Sequence, residues 1–137
     1  DNVISSSNSI FARCLWQIGM YYDREDLNDL ALKMVQIMLK DITQNGPFYA
    51  EWTTLLWEII HPHYEIVVTG NQASTKVSSL FAKEYLPQVL PIGSLLSNSD
   101  IPLLENKTEP NIYVCRNRTC SAPTQNIGDI LNEIRQL

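Results

Sequence analysis

Apolar residues in the first part of the chain recur at helical spacing. Ile10, Phe11, Cys14, Leu15 and Ile18 fall on one face of a helix that opens at Ser7, Asn8 or Ser9 and nears its end at Gly19. A short side-chain oxygen at such a start accepts a hydrogen bond from an orphan N–H of the first turn. Leu27, Leu30, Ala31, Met34, Val35 and Met38 repeat at steps of three and four, which predicts a second helix capped by Asp23 or Asp26. Asn45-Gly46-Pro47 stops it, and Pro47 suits the first turn of a third helix, where a missing N–H costs nothing. Phe48, Trp52, Leu55, Leu56 and Ile59 make the third apolar stripe, and His61-Pro62 closes it.

The pattern then changes. Glu65-Ile66-Val67-Val68-Thr69-Gly70 is short, β-branched and closed by glycine, and so reads as a buried strand. Asn71 or Ser74 caps a helix carrying Val77, Leu80, Phe81 and Tyr85. Val89-Leu90-Pro91-Ile92 is a second strand, in which Pro91 removes a ladder donor and favours an edge. Residues 94–109 read as loop around a weak apolar patch, Ile101 to Leu104. Asn111 to Cys115 is a third strand, Pro123 a break, and Ile127, Ile130, Leu131 and Ile134 the stripe of a last helix. The expected class is α/β. Three antiparallel helices over residues 1–62 precede a small, mostly parallel sheet of three or four strands with flanking helices over 63–137.

Composition narrows the classes. The chain has 137 residues, enough for one real core and short for two full domains. Hydrophobic residues at 45% against 18% charged exclude a disordered chain. A net charge of −5 repels a phosphate backbone, which argues against nucleic acid as partner. No apolar run reaches the length of a membrane span. The opening Asp1-Asn2-Val3-Ile4 lacks Met and a signal core, as expected of a piece of a longer protein. The three cysteines, Cys14, Cys115 and Cys120, are too few and odd for a secreted disulfide framework, and fit reduced thiols in a cytoplasmic protein. The glycosylation triplets at Asn106 and Asn117 matter only in a secretory pathway.

Candidate chemistry is sparse. Cys115-Arg116-Asn117-Arg118-Thr119-Cys120 places two thiols among guanidinium groups, which lower a thiol pKa and favour the reactive thiolate. The separation differs from the usual dithiol motif, and the sulfurs meet only if the segment turns back. A buried strand cysteine followed by a turn cysteine is the preferred reading, and a redox pair at Cys115 and Cys120 the alternative. His61, His63, Cys115 and Cys120 hold metal-ligand chemistry but no zinc-module spacing, so no metal is assigned; His61 reads as a helix-end residue and His63 as solvated. Gly70, Asn71 and Ser74 lie where a strand runs into a helix, the place where open α/β sheets hold anions, which makes them candidates for a phosphorylated ligand. A single glycine is a weak signal, and a tight turn is the preferred reading of Gly70. Glu51 and Glu58 share a helix face, a solvated-face pattern as much as a catalytic one, and no catalytic residue or cofactor is assigned.

Three segments together resemble a known family. Tyr113-Val114-Cys115-Arg116-Asn117-Arg118-Thr119-Cys120-Ser121-Ala122-Pro123 resembles the closing motif Y-V-C-x-N-x-x-C-x-x-P of YyaL-type thioredoxin-domain proteins, which include spermatogenesis-associated relatives. Ile4-Ser5-Ser6-Ser7-Asn8-Ser9 is similar to that family's P-S-x-N-S helix start, and Glu65 to Gly70 to its E-I-V-I-x-G strand. Ser5 replaces the usual proline, and Thr124-Gln125-Asn126-Ile127 lacks the common T-D-P start. The resemblance implies the C-terminal end of a longer protein, with a thioredoxin-like domain followed by an (α/α)6 toroid similar to sugar epimerases and six-hairpin glycosidases. The three helices would be the toroid's last members and the α/β unit a non-catalytic accessory. Its partners would be the upstream domains of the same polypeptide, with a homodimer of this chain through uncovered helix stripes as a further expectation.

Overall fold

Ser6 opens the first helix, α1 (Ser7–Tyr21): its Oγ accepts the N–H of Ser9 at 3.1 Å. The cap thus lies one residue before the expected candidates, which leaves Ser9 free to turn inward. The computed structural model describes residues 1, 3–61, 63–95, 100–108, 110–116 and 119–135, with 83, 133 and 135 in backbone only. Pro62, Asn117 and Arg118, singled out in the sequence, lie outside the described residues. The chain divides into two compact units, Asp1–Pro62 and His63–Leu137.

The first unit holds α1, α2 (Glu25–Asn45), a 3-10 turn at Gly46–Tyr49 and α3 (Ala50–Ile60). Arg24, not an aspartate, occupies the N-cap of α2 and makes no side-chain cap bond; it forks onto Asp26 through two 2.7 Å contacts. Ala12, Val35, Ile42, Trp52 and Leu55 form the core, with Trp16, Met34, Met38, Tyr49, Leu56 and Ile59 packed around it. The inward face of α1 differs from the expected one. Ser9, Ala12, Leu15 and Gly19 are buried, whereas Ile10, Phe11, Cys14 and Ile18 are exposed. Close approach explains the choice. Asn28 of α2 donates to the Trp16 carbonyl at 2.8 Å, and a Cβ on Gly19 would meet the Asn28 amide at 2.5 Å. Ser9, Ala12 and Gly19 therefore face its neighbours together with Leu15, while Ile10, Phe11 and Ile18 face out.

The second unit is a four-stranded sheet in the order β2-β1-β3-β4, built from β1 (Tyr64–Thr69), β2 (Val89–Ser94), β3 (Ile112–Arg116) and β4 (Thr119–Cys120). Its helices are α4 (Ala73–Lys83) and α5 (Ile127–Arg135). β2 runs parallel to β1 across the α4 crossover and lies at the edge, where Pro91 costs no interior ladder bond. β3 pairs antiparallel with β1, and β4 antiparallel with β3, so the α/β sheet is mixed. The physical reason is the second connection, whose described residues hold a 3-10 turn at Pro102–Leu104 and no crossover helix. Tyr85, expected on the helical stripe, lies beyond α4 and is 89% exposed.

Alternation along the strands builds two cores. Tyr64, Ile66, Val68, Val89, Ile112 and Val114 face α4 and α5, where Leu80, Ile130 and Ile134 close the layer. On the opposite face, Val67, Tyr113 and Cys115 pack with Leu104, Ile92, Ile101, Leu103 and Cys120. The weak apolar patch of the sequence is thus a cover for the second face, with Leu104 only 2% exposed. Thr69 ties the cover down, donating from its hydroxyl to the Thr108 carbonyl at 2.7 Å and accepting the Asn111 N–H at 3.2 Å. No described helix is long and apolar enough to cross a membrane.

Candidate functional site

Cys115 ends a buried run of β3, and Cys120 is its direct cross-strand partner on β4. The two sulfurs are joined in a disulfide, with Cα atoms 3.9 Å apart. The preferred sequence reading, a strand cysteine and a separate turn cysteine, is corrected here: β4 returns beside β3 and puts Cys120 opposite Cys115. The flanking bonds fix the register. Ser121 N–H donates to the Val114 carbonyl at 2.8 Å, so the cysteines occupy the pair between hydrogen-bonded positions, where side chains stand closest. Cys115 is fully buried and Cys120 partly so, which makes Cys120 the sulfur open to attack.

The sequence pointed to neighbouring arginines as the source of positive charge. The structure seats Lys107 there, its Nζ 3.1 Å from Cys120 Sγ and 5.0 Å from the centre of the Tyr113 ring. Tyr113 is held by Thr108, whose N–H donates to the phenol oxygen at 3.1 Å and whose hydroxyl lies 3.0 Å from it. Arg116 instead lies against Tyr64, its guanidinium 5.4 Å from the ring centre, on the opposite sheet face. Lys107 was missed because no periodicity marks it; it reaches the sulfur only once the cover has folded over β3.

Glu65 lies on the same face, paired in register with Cys115 across β1 and β3. It is 5% exposed, and its Oε1 lies 3.6 Å from His63 Nε2. Burial raises the Glu65 carboxyl above its ordinary pKa and lowers that of the His63 imidazole. Both groups are thereby pushed toward their neutral forms. His63, expected to be solvated, is largely enclosed, with 17% of its side chain exposed. His61 does end α3, stacked on Trp57 with ring centres 4.5 Å apart.

The strand-to-helix turn is shaped by Gly70 at φ 101°, a left-handed conformation that favours glycine. Its N–H donates to the Ser94 carbonyl at 3.0 Å and its carbonyl accepts the Ala73 N–H at 2.9 Å. Both groups thus serve the fold and are not turned to a ligand. Gln72, not Asn71 or Ser74, is the N-cap of α4, and both of those side chains are exposed. Glu51 and Glu58 are brought together by one cation: Arg13 contacts Glu51 at 2.9 Å and Glu58 at 2.5 Å. One guanidinium thus bridges two carboxylates in a structural ion-pair cluster.

Among the described residues no cluster of three or more His, Cys, Asp or Glu could hold a metal ion. What the second sheet face offers is a closed dithiol with a cation at the accessible sulfur and a desolvated acid beside the buried one. Comparison with family models, curated proteins and solved structures returns no significant match to this chain.

Proposed function

We propose that the α/β unit performs thiol–disulfide exchange through Cys115 and Cys120, within an accessory C-terminal portion of a longer protein like those the sequence resembles. The observation that carries this reading is Lys107 at Cys120 Sγ. An ammonium at that distance favours the thiolate over the thiol, so Cys120 is both the better nucleophile when reduced and the accessible sulfur when oxidised. In a reducing cytoplasm such a pair rests as a dithiol and closes during turnover. Its partner would be a dithiol or disulfide on an upstream domain of the same polypeptide. Reduced full chain, titrated with iodoacetamide and mapped by mass spectrometry, tests this. Cys120 should alkylate about tenfold faster at neutral pH than in Lys107→Met. A pair that stays closed in the native chain under excess dithiothreitol, and opens only in denaturant, would overturn the reading.

The helical unit favours a second, structural role. Helix α1 is apolar on both faces, with Ile10, Phe11 and Ile18 at 48%, 56% and 45% exposure opposite the core face. A helix that is hydrophobic all round belongs inside a larger packed array. The occupant that fits the resemblance is the preceding helices of an (α/α)6 toroid in a carbohydrate-active protein, with no catalysis by this chain itself. The intact mass of the endogenous polypeptide bearing this segment should be several times that of the 137-residue chain. An intact mass equal to that of the chain alone would end the toroid reading.

A further inference from the structure

We propose that Glu65 is the proton store for the buried half of the exchange, giving a proton to Cys115 when the disulfide opens and recovering it when the disulfide closes. The inference rests on the exchange reading of Cys115 and Cys120 and adds the group that makes the reaction possible at a sulfur without solvent. Cys115 has no exposed surface, so a thiolate released there has no water to stabilise it. Glu65 is its register partner on the adjacent strand, on the same sheet face, and directly opposed cross-strand side chains interact. Oε2 of Glu65 is inaccessible and has no hydrogen-bond partner among the described residues. A buried carboxyl oxygen in that state suits a protonated acid awaiting an acceptor.

The charged and titratable surroundings support the assignment. His63 faces Oε1 from the lead-in to β1. The β2 partner of Glu65 is Leu90, which carries no charge. From β3 come Cys115 and Tyr113, the latter engaged with Thr108. Lys107 sits at Cys120, and Asp100 and Glu105 on the covering segment are exposed. Burial raises the carboxyl above its ordinary value, in the direction that favours the protonated form.

The steps balance with an external thiol as reductant. Its thiolate attacks Cys120 Sγ, a mixed disulfide forms, and the Cys115–Cys120 bond breaks with its electron pair passing to Cys115 Sγ. That sulfur takes the proton from Glu65, leaving a neutral thiol and a carboxylate. A second external thiolate attacks the external sulfur of the mixed disulfide and releases Cys120 as a thiolate beside Lys107. The external thiols leave as a disulfide, two electrons having passed to the protein. Closure reverses these steps, with the Glu65 carboxylate as base for Cys115.

The test uses the full chain, reduced and then closed by glutathione disulfide, with acid quench and mass mapping across pH. Glu65→Gln should slow closure from the Cys120 mixed disulfide about tenfold near neutral pH, and the deficit should vanish in base, where Cys115 ionises unaided. In the wild-type chain, the infrared band of a protonated carboxyl should be present in the oxidised form and lost on reduction. That second readout needs no variant to fold. Superimposable pH profiles for wild type and Glu65→Gln, or a carboxyl band indifferent to redox state, would overturn the role of Glu65 while Lys107→Met still slowed Cys120. A pair inert to both glutathione and dithiothreitol would overturn the exchange reading itself.

Discussion

Glu65 and Arg13 show how a single side chain's surroundings decide its work. Burial raises the Glu65 pKa, so the folded chain holds that proton more tightly than the unfolded chain does. Stability must then fall as pH rises from the ordinary carboxylate value of 4.5 toward the raised folded value, because the unfolded state ionises first. Glu65→Gln should flatten that limb, and its stability relative to wild type should be greater at neutral pH than at pH 4; urea melts at the two values check it. His63 acts with opposite sense: its lowered pKa costs stability as pH falls below 6.5, where the unfolded imidazole takes up the proton first. Arg13 serves two glutamates at once, and Glu58 is the more enclosed, at 9% side-chain exposure against 20% for Glu51. Arg13→Ala strands that carboxylate and should cost about 2 kcal/mol, read from the denaturant midpoint. Glu51→Gln, at the more exposed end, should cost well under half of that.

At the scale of elements, α1 and the covering segment of 100–108 carry the consequences. The outward residues of α1 are about half exposed, with Phe11 at 56%, so Phe11→Ser should shift the unfolding midpoint of this chain only a little. Leu55→Ala, at 0% exposure, should cost about 3 kcal/mol. If the apolar face associates copies of the chain, sedimentation velocity will show mass rising with concentration, and Phe11→Ser will reduce it. Periodicity located every helix and the three longer strands, because burial of a stripe or an alternating face is written locally. It misjudged which face of α1 packs. Hydrophobicity points to Ile10, Phe11 and Ile18, whereas the close approach of α2 selects Ser9, Ala12 and Gly19, a steric criterion that a hydrophobic pattern does not contain. The cover over β3 was legible only as a faint patch, since its anchors, Thr69 and Tyr113, lie on strands distant in sequence.

For the whole molecule, each compact unit has its own core, and the three tryptophans, Trp16, Trp52 and Trp57, all lie in the first. Tryptophan fluorescence therefore reports the helical unit. Reducing the disulfide should lower the stability of the α/β unit by about 2 kcal/mol, the worth of a short closed loop, as read by amide exchange in β1 and β3. The tryptophan transition should not move. A shift in both would show that the units unfold as one.

By itself the sequence determined the class and the order of elements, the break near residue 62, and the pair of cysteines worth watching, because these depend on spacing along the chain. Only the tertiary structure decided that β3 turns antiparallel, that Cys120 lands opposite Cys115, that Lys107 reaches Cys120 Sγ, and that Glu65 stands beside Cys115 in register. Those contacts join residues 13 and 50 positions apart. Strand pairing and the burial of the second sheet face create them, and no local pattern records either.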